Sequence, residues 1–288
     1  MPSEPEQAEK KTDKTMSYND YIERHKEHHL RACQLKQLSI LEEIDRICKK
    51  HHIDYWLESG TLLGAIRHGG FIPWDDDIDI AMLEGDLERF KEVAPGELPS
   101  TMMLQSPETV PDSKEPIVKV RDTNSLYIEP GDDFSADYPK GLFIDIFPFV
   151  GYPSVSRAFC KRFGKMYSRS HAILHKPHRY GLRAAAEWCW FGGQQLLSRL
   201  AWWCASTFRG HGQYLSFTLL NNGYGVMHRR ESIFPLTTVK FEGKEFSAPG
   251  NIDEYLRVLY GDYMQVPPPE QRHIHAIFMM EELEGESE

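Results

Sequence analysis

Residues 55–82 read YWLESGTLLGAIRHGGFIPWDDDIDIAM, and the rest of the chain is best read outward from them. A short apolar run, Tyr55 to Leu57, is strand-like and turns at Gly60-Thr61. A helical turn is predicted over Leu62 to Arg67, followed by the glycine pair Gly69-Gly70 and by Pro73. The stretch ends in Asp75, Asp76, Asp77, Ile78, Asp79 and Ile80. Ile78, Ile80 and Met82 alternate with Asp77 and Asp79, which predicts a half-buried strand because strand side chains alternate faces. Asp77 and Asp79 then point the same way, roughly 7 Å apart at about 3.3 Å per residue. Two carboxylates on one rigid face, with no cation close in sequence, repel each other. A hard divalent ion between them relieves that repulsion, and Mg²⁺ takes oxygen ligands, usually alongside substrate phosphates. An acidic run is more often a solvated loop. Here Phe71, Ile72, Pro73 and Trp74 flank it and isoleucines interleave it, which argues against a free loop.

The 288 residues suit one large domain or a domain with an elaboration. Hydrophobic residues make up 41% of them, with six Trp, 13 Tyr and 15 Phe, ample for a packed core. A net charge of −10 argues against a general nucleic-acid binder. The start, MPSEPEQAEKKTDK, is charged and has no apolar core, so it reads as a disordered tail (1–20) and not as a secretory signal. Cys33, Cys48, Cys160, Cys189 and Cys204 form no CxxC pair. That spacing gives neither a zinc site nor a disulfide framework, and suits a reducing cytosol. The average charge hides an asymmetry. Residues 151–230 hold 12 of the 33 Lys and Arg but one of the 43 acids, Glu187.

Leu30, Cys33, Leu38, Leu41, Ile44 and Ile47 recur at helical spacing, so Leu30 to Cys48 is a predicted helix with one buried face. Leu83, Leu87, Phe90 and Val93 predict a second helix ending before Pro95. Met102 to Gln105, Ile117 to Arg121 and Leu126 to Ile128 read as short strands. Gly141 to Phe149, GLFIDIFPF, is a further strand in which Phe143, Asp145 and Phe147 share one face. Asp145 is a single acid on an otherwise apolar strand, and a buried unpaired carboxylate is costly. It is therefore either in a salt bridge, with Arg121 as the candidate partner, or a third metal ligand or catalytic base.

The basic segment carries four of the six tryptophans, Trp188, Trp190, Trp202 and Trp203, and Arg183 to Phe208 reads as a helix with a broad apolar face. Glu187, Gln194, Gln195 and Arg199 interrupt it too often for a bilayer span. Basic residues with interfacial tryptophans suit a helix lying on an anionic membrane; a buried helical subdomain with solvated arginines fits as well. Val239 to Phe246 reads as a hairpin turning at Glu242-Gly243, and Ile252 to Tyr260 as a short helix capped by Asn251.

Three blocks, GTLLGAIRHGGFIPWDDDIDI, GLFIDIFPF and FPLTTVKFEGKEFSAPGNIDEYLRVLYGDY with its PPPEQRHIH ending, closely resemble the LicD family. That family includes bacterial phosphocholine transferases and is similar to the fukutin-related enzymes. The likeness covers roughly residues 35–150 and 234–275. It implies an α+β, nucleotidyltransferase-like fold: a small mixed sheet flanked by helices, with acids on neighbouring strands holding Mg²⁺ or Mn²⁺. The chain would divide into a tail (1–20), a catalytic core (21–150), a basic, Trp-rich helical insertion (151–233), a returning core segment (234–277) and an acidic tail (278–288).

Carried onto this sequence, the resemblance makes Asp77 and Asp79 the acidic pair, Asp145 the later strand carboxylate, and Asp75 the acid that opens the motif. Asp77, Asp79 and Asp145 would hold the metal, and Asp145 or Asp75 would accept a proton from the attacking hydroxyl. Gly60-Thr61 matches the glycine turn at which backbone amides approach a phosphate. Arg67, Lys119, Arg121 and His68 are candidate phosphate contacts, though surface or structural pairs account for them equally well. His273 and His275 lie in the matched C-terminal motif, where a core or capping histidine is as consistent as a catalytic one.

The implied activity transfers a phospho-alcohol from a CDP-activated donor, CDP-choline or a relative, to a hydroxyl of a lipopolysaccharide- or teichoic-acid-type glycan, releasing CMP. A choline head would rest on aromatic faces, for which Trp74, Tyr127, Phe143 and Phe147 are the candidates. A lipid-linked acceptor would put the chain in the cytoplasm against the inner face of the plasma membrane, touching it through residues 183–209, with no nucleic-acid partner. Two alternatives stay open. The same carboxylates would serve NMP transfer with release of pyrophosphate, and the fold alone would serve a non-catalytic glycan-binding protein.

Overall fold

The computed structural model describes residues 17–110, 117–132, 134–135, 137–176 and 181–283. Helix α1 (Tyr18–His51) turns Leu30, Cys33, Gln37, Leu41, Ile44 and Cys48 inward at three- and four-residue steps. Ser17 caps it by accepting the Asp20 N–H, and Lys49, Lys50 and His51 complement the dipole at its far end. The predicted helix, Leu30 to Cys48, is its buried part. Residues 18–20, assigned to the tail, are helical, and residues 1–16 lie outside the described residues. Apolar periodicity cannot register the first turns because most of their side chains face solvent.

Strand β1 (Trp56–Leu57), helix α2 (Ser59–His68), strand β2 (Asp79–Leu83) and helix α3 (Glu84–Glu97) follow. Pro95 lies inside α3 rather than beyond it. In the last turn its missing N–H forfeits a single helical bond, and the Leu98 N–H closes the helix on the Ala94 carbonyl. Strands β3 (Met102–Gln105), β4 (Val118–Asp122), β5 (Leu126–Ile128) and β6 (Phe143–Pro153) come next. In the main sheet the order is β1-β2-β6-β4-β3. The β6 strand is its axis, antiparallel to β4 and parallel to β2. A parallel neighbour needs a long crossover, which residues 84–142 supply.

Helices α4 (Arg157–His175) and α5 (Leu182–Phe208) form a hairpin, after which β7 (His211–Phe217) and β8 (His228–Arg229) return to the main sheet. Residues 151–233 are therefore not a purely helical insertion. The second half of β6 would have one bare edge of N–H and C=O groups, and β7 covers it, with Phe149 opposite Phe217 and Tyr152 opposite Tyr214. Only the helical hairpin stands apart.

The chain ends with α6 (Arg230–Ile233), β9 (Thr237–Phe241), β10 (Lys244–Ala248), α7 (Ile252–Tyr260) and β11 (Phe278–Met280). Glu242 and Gly243, between β9 and β10, both have positive φ, 50° and 78°, the backbone that a two-residue hairpin turn demands. Asn251 accepts the Glu254 N–H at 3.2 Å and caps α7. β11 pairs with β5, so residues 278–280 belong to a strand and not to an acidic tail, while 284–288 lie outside the described residues. Two apolar clusters result. The larger joins the sheet to α1, α2, α3 and α7, and the smaller gathers Leu30, Cys33, Tyr127, Phe143, Ala276 and Met279. The smaller cluster brings the C-terminal segment back to the acidic run. Among the described residues no helix is long and apolar enough to cross a membrane.

Candidate active site

From Asp75 to Ile80 burial alternates: Asp75, Asp77 and Asp79 are half-buried, whereas Asp76, Ile78 and Ile80 are buried. The two-residue period of extended chain explains it, although the β2 ladder itself starts only at Asp79. Two glutamines of α1 hold this backbone. Gln34 donates to the Asp75 carbonyl at 2.8 Å and Gln37 to the Asp76 carbonyl at 2.9 Å. Asp75, Asp77 and Asp79 all line one cavity of about 450 Å³. Asp145 sits on the neighbouring strand, directly opposite Asp79 in the parallel ladder, and its N–H donates to the Ile78 carbonyl at 3.0 Å.

Burial holds the carboxyls of Asp75 and Asp79 well above the usual carboxylate range, and repulsion from Asp77 adds to it. For Asp79, repulsion from Asp145 adds further. Asp77 is also pushed up, by burial and then by Asp76. Asp76 behaves oppositely. Its own burial pushes it up, but hydrogen bonds from the His275 side chain and from the His275 and Ala276 amides outweigh that and hold it low. The ion-pair partner, His275, is raised to about 9, chiefly by Asp76, against its burial and with help from Asp77. Oxygens of Asp75 and Asp76 and a nitrogen of His275 come within 4.8 Å of one another. Asp76 is a poor metal ligand all the same, because its oxygens already accept the His275 N–H (2.9 Å), the Ala276 N–H (2.7 Å) and the Tyr127 hydroxyl (2.8 Å). The expected ligands Asp77, Asp79 and Asp145 do not converge so closely among the described residues, and Asp145 is paired with Lys119, but their oxygens are the donor type that a hard dication takes.

Gly60 and Ser59 form the first turn of α2 and line the same cavity. No side chain caps this helix, so its first N–H groups suit an anion. A Cβ on Gly60 would lie 2.8 Å from Asp75 Oδ2. Gly60→Ala is therefore expected to displace the Asp75 carboxyl and cut turnover by about 10²-fold, since misplacement of roughly 1 Å costs that much. Initial rates and far-UV circular dichroism of the variant check it; an unchanged rate would show that Asp75 has no part in the chemistry.

Other predicted residues fall elsewhere. Thr61 is buried, and its hydroxyl accepts the Asp79 backbone N–H at 2.8 Å, so that hydroxyl is engaged in fixing the start of β2. Arg121 is buried, donating to Gln105 and to the Gly141 carbonyl at 2.8 Å, with no reach to the cavity. Lys119, 2% exposed, is paired with Glu129 at 3.0 Å and with Asp145 at 3.4 Å. It is Lys119, not Arg121, that partners Asp145. Fully buried β4 leaves both cations no alternative to internal partners. Arg67 does line the cavity, and its Nη1 donates to the Tyr263 and Gln265 carbonyls at 3.1 and 3.3 Å. His68 is exposed at the end of α2, edge-on to Trp74 at 6.2 Å.

Trp74 borders two cavities, the acidic one and a second of about 570 Å³ that His273 lines. Thus His275, not His273, reaches the carboxylates. Tyr127 and Phe143 are buried in the smaller apolar cluster, Tyr127 bonded to Asp76 and Phe143 beneath Lys119 Nζ at 3.6 Å, so neither is open to a cationic head. Phe147 packs edge-on against Phe217. The aromatic residues that share the acidic cavity are Trp74, Tyr260 and Tyr263. Neither tyrosine was singled out from the sequence; YGDY, which runs out of the end of α7, was the available sign. Glu58 was also missed. It is buried, raised to about 7 by desolvation, and held by Tyr255 and by Trp56 at 3.1 Å.

Residues 52–175 match the family described as LicD/FKTN/FKRP, nucleotidyltransferase domain. Over 270 residues the chain is 27% identical to the lipopolysaccharide cholinephosphotransferase LicD of Haemophilus influenzae, an overlap of 86% of this chain and 96% of that protein. An uncharacterised protein of Rickettsia typhi is 40% identical over 74 residues, 26% of this chain and 23% of its own length. Ribitol 5-phosphate transferase FKRP of Homo sapiens is 42% identical over 50 residues, 17% of this chain and 10% of the human protein.

Proposed function

Residues 52–175 belong to the LicD family, and from that premise we propose that the chain is a phosphotransferase moving a phospho-alcohol from a CDP-activated donor to a glycan hydroxyl, with release of CMP. The observation that carries this is the register of β2 and β6, which sets Asp79 beside Asp145 while Asp77 and Asp75 border the same cavity. Asp77, Asp79 and Asp145 would hold Mg²⁺ or Mn²⁺. When bound, the ion offsets charge on the diphosphate as it is cleaved. The start of α2, with Arg67 and protonated His275, would add positive potential around the donor phosphates. Asp75 suits the task of taking the proton from the acceptor hydroxyl, because its raised basicity brings it toward the working pH. Asp145 suits it less, being held by Lys119.

Phosphocholine is the group we favour. The full-length likeness is to a cholinephosphotransferase, and Trp74, Tyr260 and Tyr263 give the cavity aromatic faces of the kind a quaternary ammonium prefers. With Mg²⁺ or Mn²⁺ and a lipopolysaccharide or teichoic-acid acceptor, CDP-choline is expected to yield CMP faster than CDP-ribitol, CDP-glycerol or CDP-ethanolamine. Chromatography of released nucleotides checks this. Release from CDP-ribitol alone would replace the alcohol but keep the reaction. Pyrophosphate released from a nucleoside triphosphate, with no CMP from any CDP-alcohol, would overturn it in favour of NMP transfer.

A further inference from the structure

The helical hairpin presents a surface that the phosphotransfer reading does not use. Leu182, Ala185, Cys189, Leu196, Leu200 and Trp203 recur at helical spacing along one side of α5, and all are exposed. Trp188, Trp190 and Phe208 extend the surface, at 58%, 66% and 77% exposed, values that a packed subdomain would not leave. The opposite side, with Ser198 and Ala205, packs inward. Over 27 residues this face runs for about 40 Å, and the exposed charges that flank it, Arg183 and Arg199, are both basic. The helix has three charged residues, Arg183, Glu187 and Arg199, and Glu187 is neutralised by Lys176 and Arg183, each at 3.2 Å.

Beside this face lies a basic row. Lys161, Arg162, Lys165 and Arg169 of α4 are exposed and, with Gln194 of α5, line one groove, so the row borders the flank of α5. A long apolar face edged by cations, with tryptophans among its exposed residues, is the composition of a helix lying in a membrane interface. A spanning helix is excluded for α5. Charge decides between the two occupants such a face could take. A symmetric pair of chains would set like faces, and hence like-charged basic rows, against each other. An anionic lipid surface instead neutralises them. Elsewhere the chain carries 42 of its 43 acids against 21 of its 33 Lys and Arg, so an anionic surface repels the remainder on balance and turns the hairpin toward itself.

We infer that the α4–α5 hairpin is an in-plane membrane foot, in which the exposed face of α5 enters the interface of an anionic bilayer and Lys161, Arg162, Lys165 and Arg169 meet its headgroups. The foot is independent of the transfer chemistry and can be read without turnover. The full chain would be floated with vesicles of phosphatidylcholine alone or mixed with phosphatidylglycerol, at low and high salt. Binding is expected only to the anionic vesicles, to weaken as salt rises, and to be accompanied by quenching of tryptophan emission by brominated acyl chains.

Trp188→Ser/Trp190→Ser/Trp203→Ser is expected to lower vesicle partitioning about tenfold or more, with an unchanged circular dichroism spectrum. Lys161→Glu/Arg162→Glu/Lys165→Glu tests the basic row without altering the apolar face, and is expected to abolish the preference for anionic lipid. Failure of the wild type to float with anionic vesicles would overturn the inference, as would binding without bromolipid quenching. A dimer in light scattering that the tryptophan variant converts to monomer, with no vesicle binding, would assign the face to a second copy of the chain.

Discussion

Asp79→Asn is expected to lower phosphotransfer by about 10³-fold or more, and at the same time to raise the melting temperature of the metal-free protein by roughly 3–8 °C. The two effects share one cause. Asp79 lies in register with Asp145 and shares a cavity with Asp75 and Asp77, and burial and these neighbours raise its affinity for protons above that of the unfolded chain. A carboxyl with a raised folded-state pKa favours folding at low pH. It opposes folding progressively as pH rises from its ordinary value of 3.8 toward the raised one. As pH rises, the metal-free fold therefore bears growing repulsion among Asp75, Asp77 and Asp79. An amide at position 79 removes one charge while keeping the shape.

A dication relieves the same repulsion, so Mg²⁺ or Mn²⁺ is expected to raise the melting temperature of the wild type, by the equivalent of about 2.7 kcal/mol at a hundredfold excess over the dissociation constant. The gain is expected to shrink from about pH 7 to about pH 5, because protons compete with the ion for the same carboxylates. Differential scanning fluorimetry with and without metal, at both pH values, checks all of this. If Asp79→Asn melts below the wild type in chelator, or keeps the full metal-induced rise, the carboxylates are not a metal site.

What the sequence disclosed about this site was whatever depends on local geometry. The period of two in DDDIDI separates Asp75, Asp77 and Asp79 from Asp76, and the Glu242-Gly243 turn follows from the demand for positive φ. Asp145 opposite Asp79 was not legible from spacing. It depends on which strands pair; a single acid on an apolar strand marked Asp145 as a candidate third ligand, and the family likeness put it on a neighbouring strand. The cations on β4 were left open between phosphate contacts and structural pairs for the opposite reason: Lys119 and Arg121 alternate as a surface strand would, whereas every residue of β4 is buried and both charges turn to internal partners. Strand β7 escaped notice because a seven-residue strand between a helix and a glycine-rich loop carries little apolar period of its own. Its place is set by the bare edge of β6.

Asp76 is the residue whose importance tertiary structure alone reveals, and Asp76→Ala is expected to destabilise the protein by about 3–5 kcal/mol, lowering its melting temperature by roughly 10 °C. The Asp76 side chain is fully buried, and its oxygens accept N–H groups from a segment 199 and 200 residues away as well as the Tyr127 hydroxyl. Removing it leaves those donors desolvated and without an acceptor. The Asp76–His275 ion pair is the lesser part, because the His275 side chain is 65% exposed and water screens it.

The pH profile separates the two contributions. His275 is raised to about 9, so its share of stability is complete below its ordinary 6.5 and is lost as pH rises through 9. Asp76 is held below its ordinary 3.8, so its share is complete above that value and is lost as pH falls through the lower one. Between these limits the contribution of the Asp76–His275 pair is constant, and Asp76→Asn is expected to remove its pH dependence at both ends at smaller cost, since an amide still offers one acceptor. Hydrogen exchange read peptide by peptide should show the loss first in Phe278–Met280 and its partner strand Leu126–Ile128, the pair that Asp76 anchors. Were Asp76→Ala to melt like the wild type with these strands still protected, the apolar contacts of Ala276 and Met279 alone would hold the C-terminal segment. His275 would then face the carboxylates for reasons of packing, and its charge could be removed without loss of transfer.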